Sequence, residues 1–204
     1  MKPLTKHSIE NLLFDTTGVI HYDTKKYIEV QPGVMTPLVV NIKATFKDFK
    51  VRSKIAKELA KQVSPESICI CGIESGGSYY ASIVADLLKK PLVLFRKKSK
   101  QYGLGQRFVG EFPSVKNGLI TIIDDVMGEG KISTANAEEL MQLGYRVEIC
   151  SIYSYLPEMK EFISKIKIAS LSDINSLCQA GLERCFFSED DVKLIKKECF
   201  YSSK

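Results

Sequence analysis

Histidine is nearly missing from this chain of 204 residues: only His7 and His21 occur. Catalysis by a histidine-centred triad is therefore not expected. The six cysteines, Cys69, Cys71, Cys150, Cys178, Cys185 and Cys199, form no Cys-x-x-Cys pair and have no neighbouring histidine. Reduced, mostly buried thiols are expected rather than a zinc site. No apolar run approaches the roughly 20 residues of a membrane helix, so no membrane partner is expected. Residues 1–10 are polar and lack the apolar centre of a signal peptide, which makes a cytoplasmic location the expectation. Repeats and low-complexity segments are absent. The net charge of +5 and a pI near 8.8 permit polyanionic ligands and say little more. At 45% hydrophobic and 26% charged, the composition is that of one soluble domain with a sizeable core.

What the chain does contain is concentrated in Ile122-Ile123-Asp124-Asp125-Val126-Met127-Gly128-Glu129-Gly130-Lys131-Ile132-Ser133-Thr134. An apolar run over 119–123 ends in two carboxylates, and a loop with two glycines leads into a segment of helical period. This reads as strand, loop and helix, with its chemistry at the carboxyl end of the strand, where open α/β sheets hold ligands. Asp124 and Asp125 are too costly to bury unpaired and call for hydroxyl donors or a cation. Gly128 and Gly130 let the backbone turn so that N–H groups face an anion, and the helix N-terminus adds its own. Carboxylates beside an anion cradle suit a sugar phosphate. The P-loop pattern fails, because its first glycine would fall at Asp125 and Ile132 stands where Ser or Thr belongs. The dinucleotide fingerprint fails for want of a third glycine. An ordinary strand-to-helix turn with an exposed acidic pair is the plain alternative.

Along the chain, 8–14 reads as a short helix, 19–22 and 26–30 as short strands, Pro32-Gly33 as a turn and 37–42 as an apolar run, together a small β-rich cap. Asp48 is a candidate N-cap for a helix carrying Val51, Ile55, Leu59 and Val63. Residues 67–71 form a strand, followed by Gly72-Ile73-Glu74-Ser75-Gly76-Gly77, a helix to about Leu88 and a strand over 92–95. From Arg96 to about Asn117 no periodicity is visible, which points to a functional loop. Its first part carries Arg96, Lys97, Lys98, Lys100 and Arg107 and no acid. A solvated loop, a lysine-edged hairpin, a mobile polyphosphate clamp and a nucleic-acid contact are all compatible with that charge. The last is ranked lowest and no nucleic-acid partner is expected, since no aromatic stacking platform accompanies it. A helix stopped by Gly144, a strand over 146–153, an amphipathic helix over 158–167, an edge strand over 168–171, a helix capped by Ser172 and a terminal helix over 189–200 complete the pattern. The βαβ alternation predicts an α/β fold, a mostly parallel sheet with helices on both faces. The expected division is a hood over 1–45 and a core over 46–204.

With these residues in view, the chain resembles the type I phosphoribosyltransferases, and within them the orotate branch. The 123–133 stretch looks like their phosphoribosyl pyrophosphate motif, and Leu94-Phe95-Arg96-Lys97-Lys98-Ser99-Lys100-Gln101-Tyr102-Gly103 is similar to the orotate catalytic loop. Cys71 to Gly77 looks like the pyrophosphate loop, and 27–43, with Gly33 and Thr36-Pro37, resembles the hood over the base. The resemblance implies transfer of ribose 5-phosphate from phosphoribosyl pyrophosphate to a pyrimidine base, nominally orotate, with magnesium and a homodimer. It implies catalytic roles for Lys97, Lys100, Asp124 and Asp125, the two aspartates holding magnesium through water. It implies that Arg96, Tyr102, Glu74, Ser75, Gly76, Gly77, Val126, Met127, Gly128, Glu129, Gly130, Lys131, Ile132 and Ser133 bind phosphoribosyl pyrophosphate. Met35, Thr36, Val39, Val40 and Ser154 would meet the base. Some positions depart from the family's pattern. Gly128-Glu129-Gly130-Lys131 lacks its usual hydroxyls, Tyr102 replaces a histidine, Met35 stands where a basic residue is usual, and Ser154 stands where an arginine is. Another base, or a non-catalytic nucleotide-binding regulator, are the alternatives.

Overall fold

Near-continuous apolar runs form a six-stranded sheet at the centre of the computed structural model, which describes residues 8–31, 33–96, 107–156 and 166–199. The elements in order are α1 (Ser8–Asp15), β1 (Ile20–Tyr22), β2 (Ile28–Gln31), β3 (Val34–Thr36), β4 (Leu38–Val40), a 3-10 helix (Ile42–Lys47), α2 (Phe49–Gln62), β5 (Ser67–Ile73), α3 (Gly76–Leu88), β6 (Leu92–Phe95), β7 (Phe108–Val109), β8 (Leu119–Met127), α4 (Lys131–Gln142), β9 (Arg146–Ser154), β10 (Lys167–Asp173), α5 (Ile174–Glu183) and α6 (Glu189–Cys199). The sheet runs β10-β9-β8-β5-β6-β7, parallel throughout except for β7, which is antiparallel to β6.

A parallel sheet buries both faces, and the core divides accordingly. Ile70, Ile123 and Ile152 pack with Ile55 and Leu59 of α2, Tyr80 and Val84 of α3 and Leu177 of α5. Cys71, Ile120, Ile122 and Ile149 pack on the opposite face with Ala137 and Leu140 of α4. All six cysteines are free thiols; Cys185 is exposed and the other five are buried.

Several expectations are met and several are corrected. Asp48 caps α2, accepting from the N–H groups of Lys50 at 2.8 Å and Val51 at 3.2 Å. Ser172 does not cap α5. Strand β10 runs on through it, and Asp173 closes a capping box, accepting from Ser176 N at 2.8 Å while its own N–H donates to Ser176 Oγ at 2.9 Å. The 96–117 stretch is not wholly irregular: Phe108 and Val109 pair with Phe95 and Leu94. Rings of Phe108, Phe112 and Tyr145 pack edge-on and tilted in sequence, with centroids 5.1 and 5.7 Å apart, which holds the segment by aromatic packing without periodicity. The run over 37–42 is divided between β4 and the 3-10 helix. The helix expected over 158–167 lies mostly outside the described residues, and its last residue, Lys167, opens β10.

The hood consists of two antiparallel pairs, β1 with β4 and β2 with β3. It is anchored from below. Val40 N donates to Tyr155 Oη at 2.9 Å, Tyr22 Oη donates to Asp191 Oδ1 at 2.7 Å, and Thr36 Oγ1 lies 3.1 Å from Cys199 Sγ.

Candidate functional site

Strand β8 outlasts its neighbour. Its pairing with β5 ends at Gly72–Ile123, whereas pairing with β9 continues from Asp124–Ser151 to Met127–Ser154. The two carboxylates therefore lie within a strand that is paired on one side and open on the other. Successive strand residues face opposite ways, so Asp124 and Asp125 meet different surroundings.

Asp124 is only 7% exposed. Its Oδ2 accepts from Ser133 Oγ at 2.6 Å and its Oδ1 from Asp125 N at 2.9 Å. Burial is the largest influence on its acidity and pushes the carboxyl up to about 7, against the opposing pull of the Ser133 hydroxyl. Asp125 lies against the start of α3, and a Cβ on Gly76 would stand 1.9 Å from its Oδ2. A Cβ on Gly77 would meet the Ile123 carbonyl oxygen at 2.5 Å. These two glycines thus bring the N-terminus of α3 onto β8 beside the carboxylate, with Glu74 and Ser75 exposed at the rim. The Glu74–Ser75 peptide is cis.

After β8 the chain turns through Gly130, whose φ of 72° lies in the left-handed region that favours glycine. Gly130 opens α4 without a side-chain cap. The first N–H groups of that helix have no acceptor within it and are available to an anion. Glu129 and Lys131 form an ion pair across this turn.

A cleft of about 1180 Å³ opens here. Every residue of 124–133 lines it. The facing wall is the hood, contributing Ile28, Val30, Val34, Val39 and Val40, with His21, Asn41, Ile42, Lys43 and Tyr155. Of the residues expected to meet the base, Val39 and Val40 are in the lining. Met35 points away, 49% exposed, and Thr36 is buried with its hydroxyl donating to Leu38 O at 3.0 Å. Ser154 is also buried, its hydroxyl bonded to the backbone of Leu156, and its neighbour Tyr155 takes the place in the cleft. Reading the period-2 alternation in the correct phase would have selected Val34 and Tyr155 over Met35 and Ser154. Asn41 and Lys43 carried no such signal, because they lie in the 3-10 turn.

Arg96 N donates to Arg107 O at 2.8 Å, which joins the two ends of the intervening segment. The Arg107 guanidinium is held on α4 by Asn136 Oδ1 at 2.6 Å and Glu139 at 3.1 Å. Lys97, Lys100 and Tyr102 lie outside the described residues. Among the described residues no three potential metal ligands cluster. The donors present, two carboxylates at the cleft floor, suit a hydrated magnesium ion that keeps most of its waters.

An open, mostly parallel sheet, a glycine turn beside adjacent carboxylates and a hooded cleft define the class, an α/β protein of the type I phosphoribosyltransferase fold. The phosphoribosyl transferase domain model matches residues 41–173, and the chain belongs to that family. Its relatives include proteins named orotate phosphoribosyltransferase. The one from Listeria monocytogenes is 30% identical over 172 residues, covering 81% of each chain. The one from Porphyromonas gingivalis is 26% identical over 187 residues, covering 84% of this chain and 88% of the relative. Among solved structures, Leishmania donovani UMP synthase superposes with a TM-score of 0.77 at 17% identity, over 95% of this chain and 42% of that longer one. Orotate phosphoribosyltransferase from Aeropyrum pernix gives 0.70 at 18% identity, over 88% and 99%. Both share the fold. No helix among the described residues is long and apolar enough to cross a membrane.

Proposed function

We propose that this phosphoribosyltransferase joins ribose 5-phosphate to a pyrimidine base, with orotate as the acceptor and orotidine monophosphate as the product, a step of pyrimidine nucleotide synthesis in the cytoplasm. The observation that carries the reading is the single cleft in which Asp124, Asp125 and the α4 N-terminus face an apolar hood. A ring nitrogen of the base, its proton released to solvent, attacks C1 of the ribose, and the bond from C1 to the pyrophosphate oxygen breaks with its electron pair leaving on pyrophosphate. Asp124 and Asp125 accept from the ribose hydroxyls. The N–H groups of 127–133 bind the 5-phosphate, and residues 74–77, next to Asp125, border the pyrophosphate. Arg96, Lys97 and Lys100 supply positive charge to the leaving group, the largest electrostatic contribution available to such a step. Asp124 and Asp125 would hold magnesium through water; when bound, the ion neutralises pyrophosphate charge. As the family resemblance implies, the working unit is a homodimer.

Calorimetric titration with phosphoribosyl pyrophosphate and magnesium, followed by orotate, tests the reading. Binding of both with orotidine monophosphate formation is expected, and Lys100→Ala should lower kcat by at least about 100-fold. Full activity in that variant would remove the role given to the loop. A different acceptor base is the second reading. It is favoured by the absence of a basic side chain at Met35 and Ser154 and by the positions of both residues off the cleft. Binding of the sugar phosphate without orotate would select it.

A further inference from the structure

Cations are scarce among the described residues of this cleft. Its lining contains three carboxylates, Asp124, Asp125 and Glu129, and two lysines, Lys43 and Lys131. Lys131 is already paired with Glu129 on the phosphate side. Lys43 follows β4 and Asn41 in the chain, and its ammonium has no ion-pair or hydrogen-bond partner among the described residues.

The backbone that presents it is firmly held. Asn41 N donates to Val19 O at 2.7 Å. Ile42 and Thr45 of the same 3-10 turn are buried, and Thr45 Oγ1 lies 2.5 Å from both Ile42 O and Tyr80 Oη. A rigid turn thus carries a lysine whose head group is uncommitted. Asn41 beside it makes no capping hydrogen bond with its amide. Lys43 and Asn41 are both exposed to solvent, so water screens this charge and the contact it offers is a modest one.

We propose that Lys43 determines which base this cleft accepts: its ammonium receives the negatively charged ring substituent, so the hood selects an anionic pyrimidine over a neutral one. The inference rests on the transferase reading above and assigns its acceptor specificity to a residue in neither of the expected basic positions. A lysine offers one point charge rather than the two-pronged grip of arginine, so the selectivity it confers is moderate.

The experiment measures binding of orotate and of uracil to the full chain, with and without phosphoribosyl pyrophosphate and magnesium, for the wild type, Lys43→Gln and Lys43→Arg. Lys43→Gln should weaken orotate binding about tenfold or more, leave uracil and phosphoribosyl pyrophosphate binding unchanged, and be rescued largely by Lys43→Arg. Orotate binding that is equal in wild type and Lys43→Gln would overturn the proposal, as would a wild type that binds uracil as tightly as orotate. Failure of the wild type to bind phosphoribosyl pyrophosphate is a separate result that sinks the transferase reading, whereas a Lys43-dependent preference for orotate would survive it.

Discussion

Asp124 illustrates how one residue's surroundings become a measurable pH dependence. Its carboxyl titrates near 7 in the folded chain, against an ordinary 3.8, chiefly because it is buried. Between those values the folded chain holds a proton that the unfolded chain has lost, so this group's contribution to stability falls as pH rises from about 4 to about 7. Asp124→Asn should flatten that slope when thermal unfolding is compared at pH 5 and pH 8; an unchanged slope would refute the assignment. The same variant should lose affinity for phosphoribosyl pyrophosphate, since an amide cannot replace a carboxylate toward hydroxyls and a hydrated cation together. Glu129 is a second case. Its pairing with Lys131 occupies the one cation on the phosphate turn. Glu129→Gln should tighten ribose 5-phosphate binding by roughly threefold to tenfold, while stability changes by less than about 1 kcal/mol because the Lys131 side chain is 77% exposed. Weaker binding in the variant would mean that Glu129 itself takes part in ligand recognition.

At the scale of elements, the sequence located most strands and helices but misplaced their ends wherever tertiary pairing decided them. Carboxylates at 124 and 125 read as the end of β8 because burying them is costly, yet β9 continues to pair with that strand through Met127. Ser172 and Asp173 are equally plausible caps by composition. The choice falls on Asp173 because Ser172 is still paired with Tyr153 in the sheet. Asp173→Ala should therefore cost about 1 kcal/mol in denaturant unfolding and Ser172→Ala clearly less; equal losses would contradict the capping box. Strand β7 was invisible because two residues carry no period. The aromatic side chains of Phe95, Phe108 and Phe112 hold it instead.

Across the whole molecule, the C-terminal helices support the hood that closes one wall of the cleft. Phe187 packs its ring against Phe14 and Tyr22 at 5.8 and 5.0 Å between centroids, and Gly181 makes room for it. Phe187→Ala should cost about 3 to 5 kcal/mol of stability. In the fraction that remains folded, base binding should suffer more than sugar-phosphate binding, because Tyr22 belongs to β1 of the hood whereas β8 and α4 are supported elsewhere. Equal weakening of both ligands would show that the hood and the phosphate turn do not respond separately.

The amino-acid sequence by itself determined the parallel α/β architecture, the carboxylate pair and the glycine turn. Each depends on local pattern: apolar runs buried on both sides, charge that must be compensated, and backbone that must turn. Tertiary structure alone decided which hood residues line the cleft, because strand phase is fixed by long-range pairing and a shift of one residue exchanges Val34 for Met35. It also decided that Lys43 is, among the described residues, the cleft lysine without an ion-pair partner. An exposed lysine in a short turn has no local mark of function, and its place at the cleft depends on the walls that β8 and α4 bring beside it.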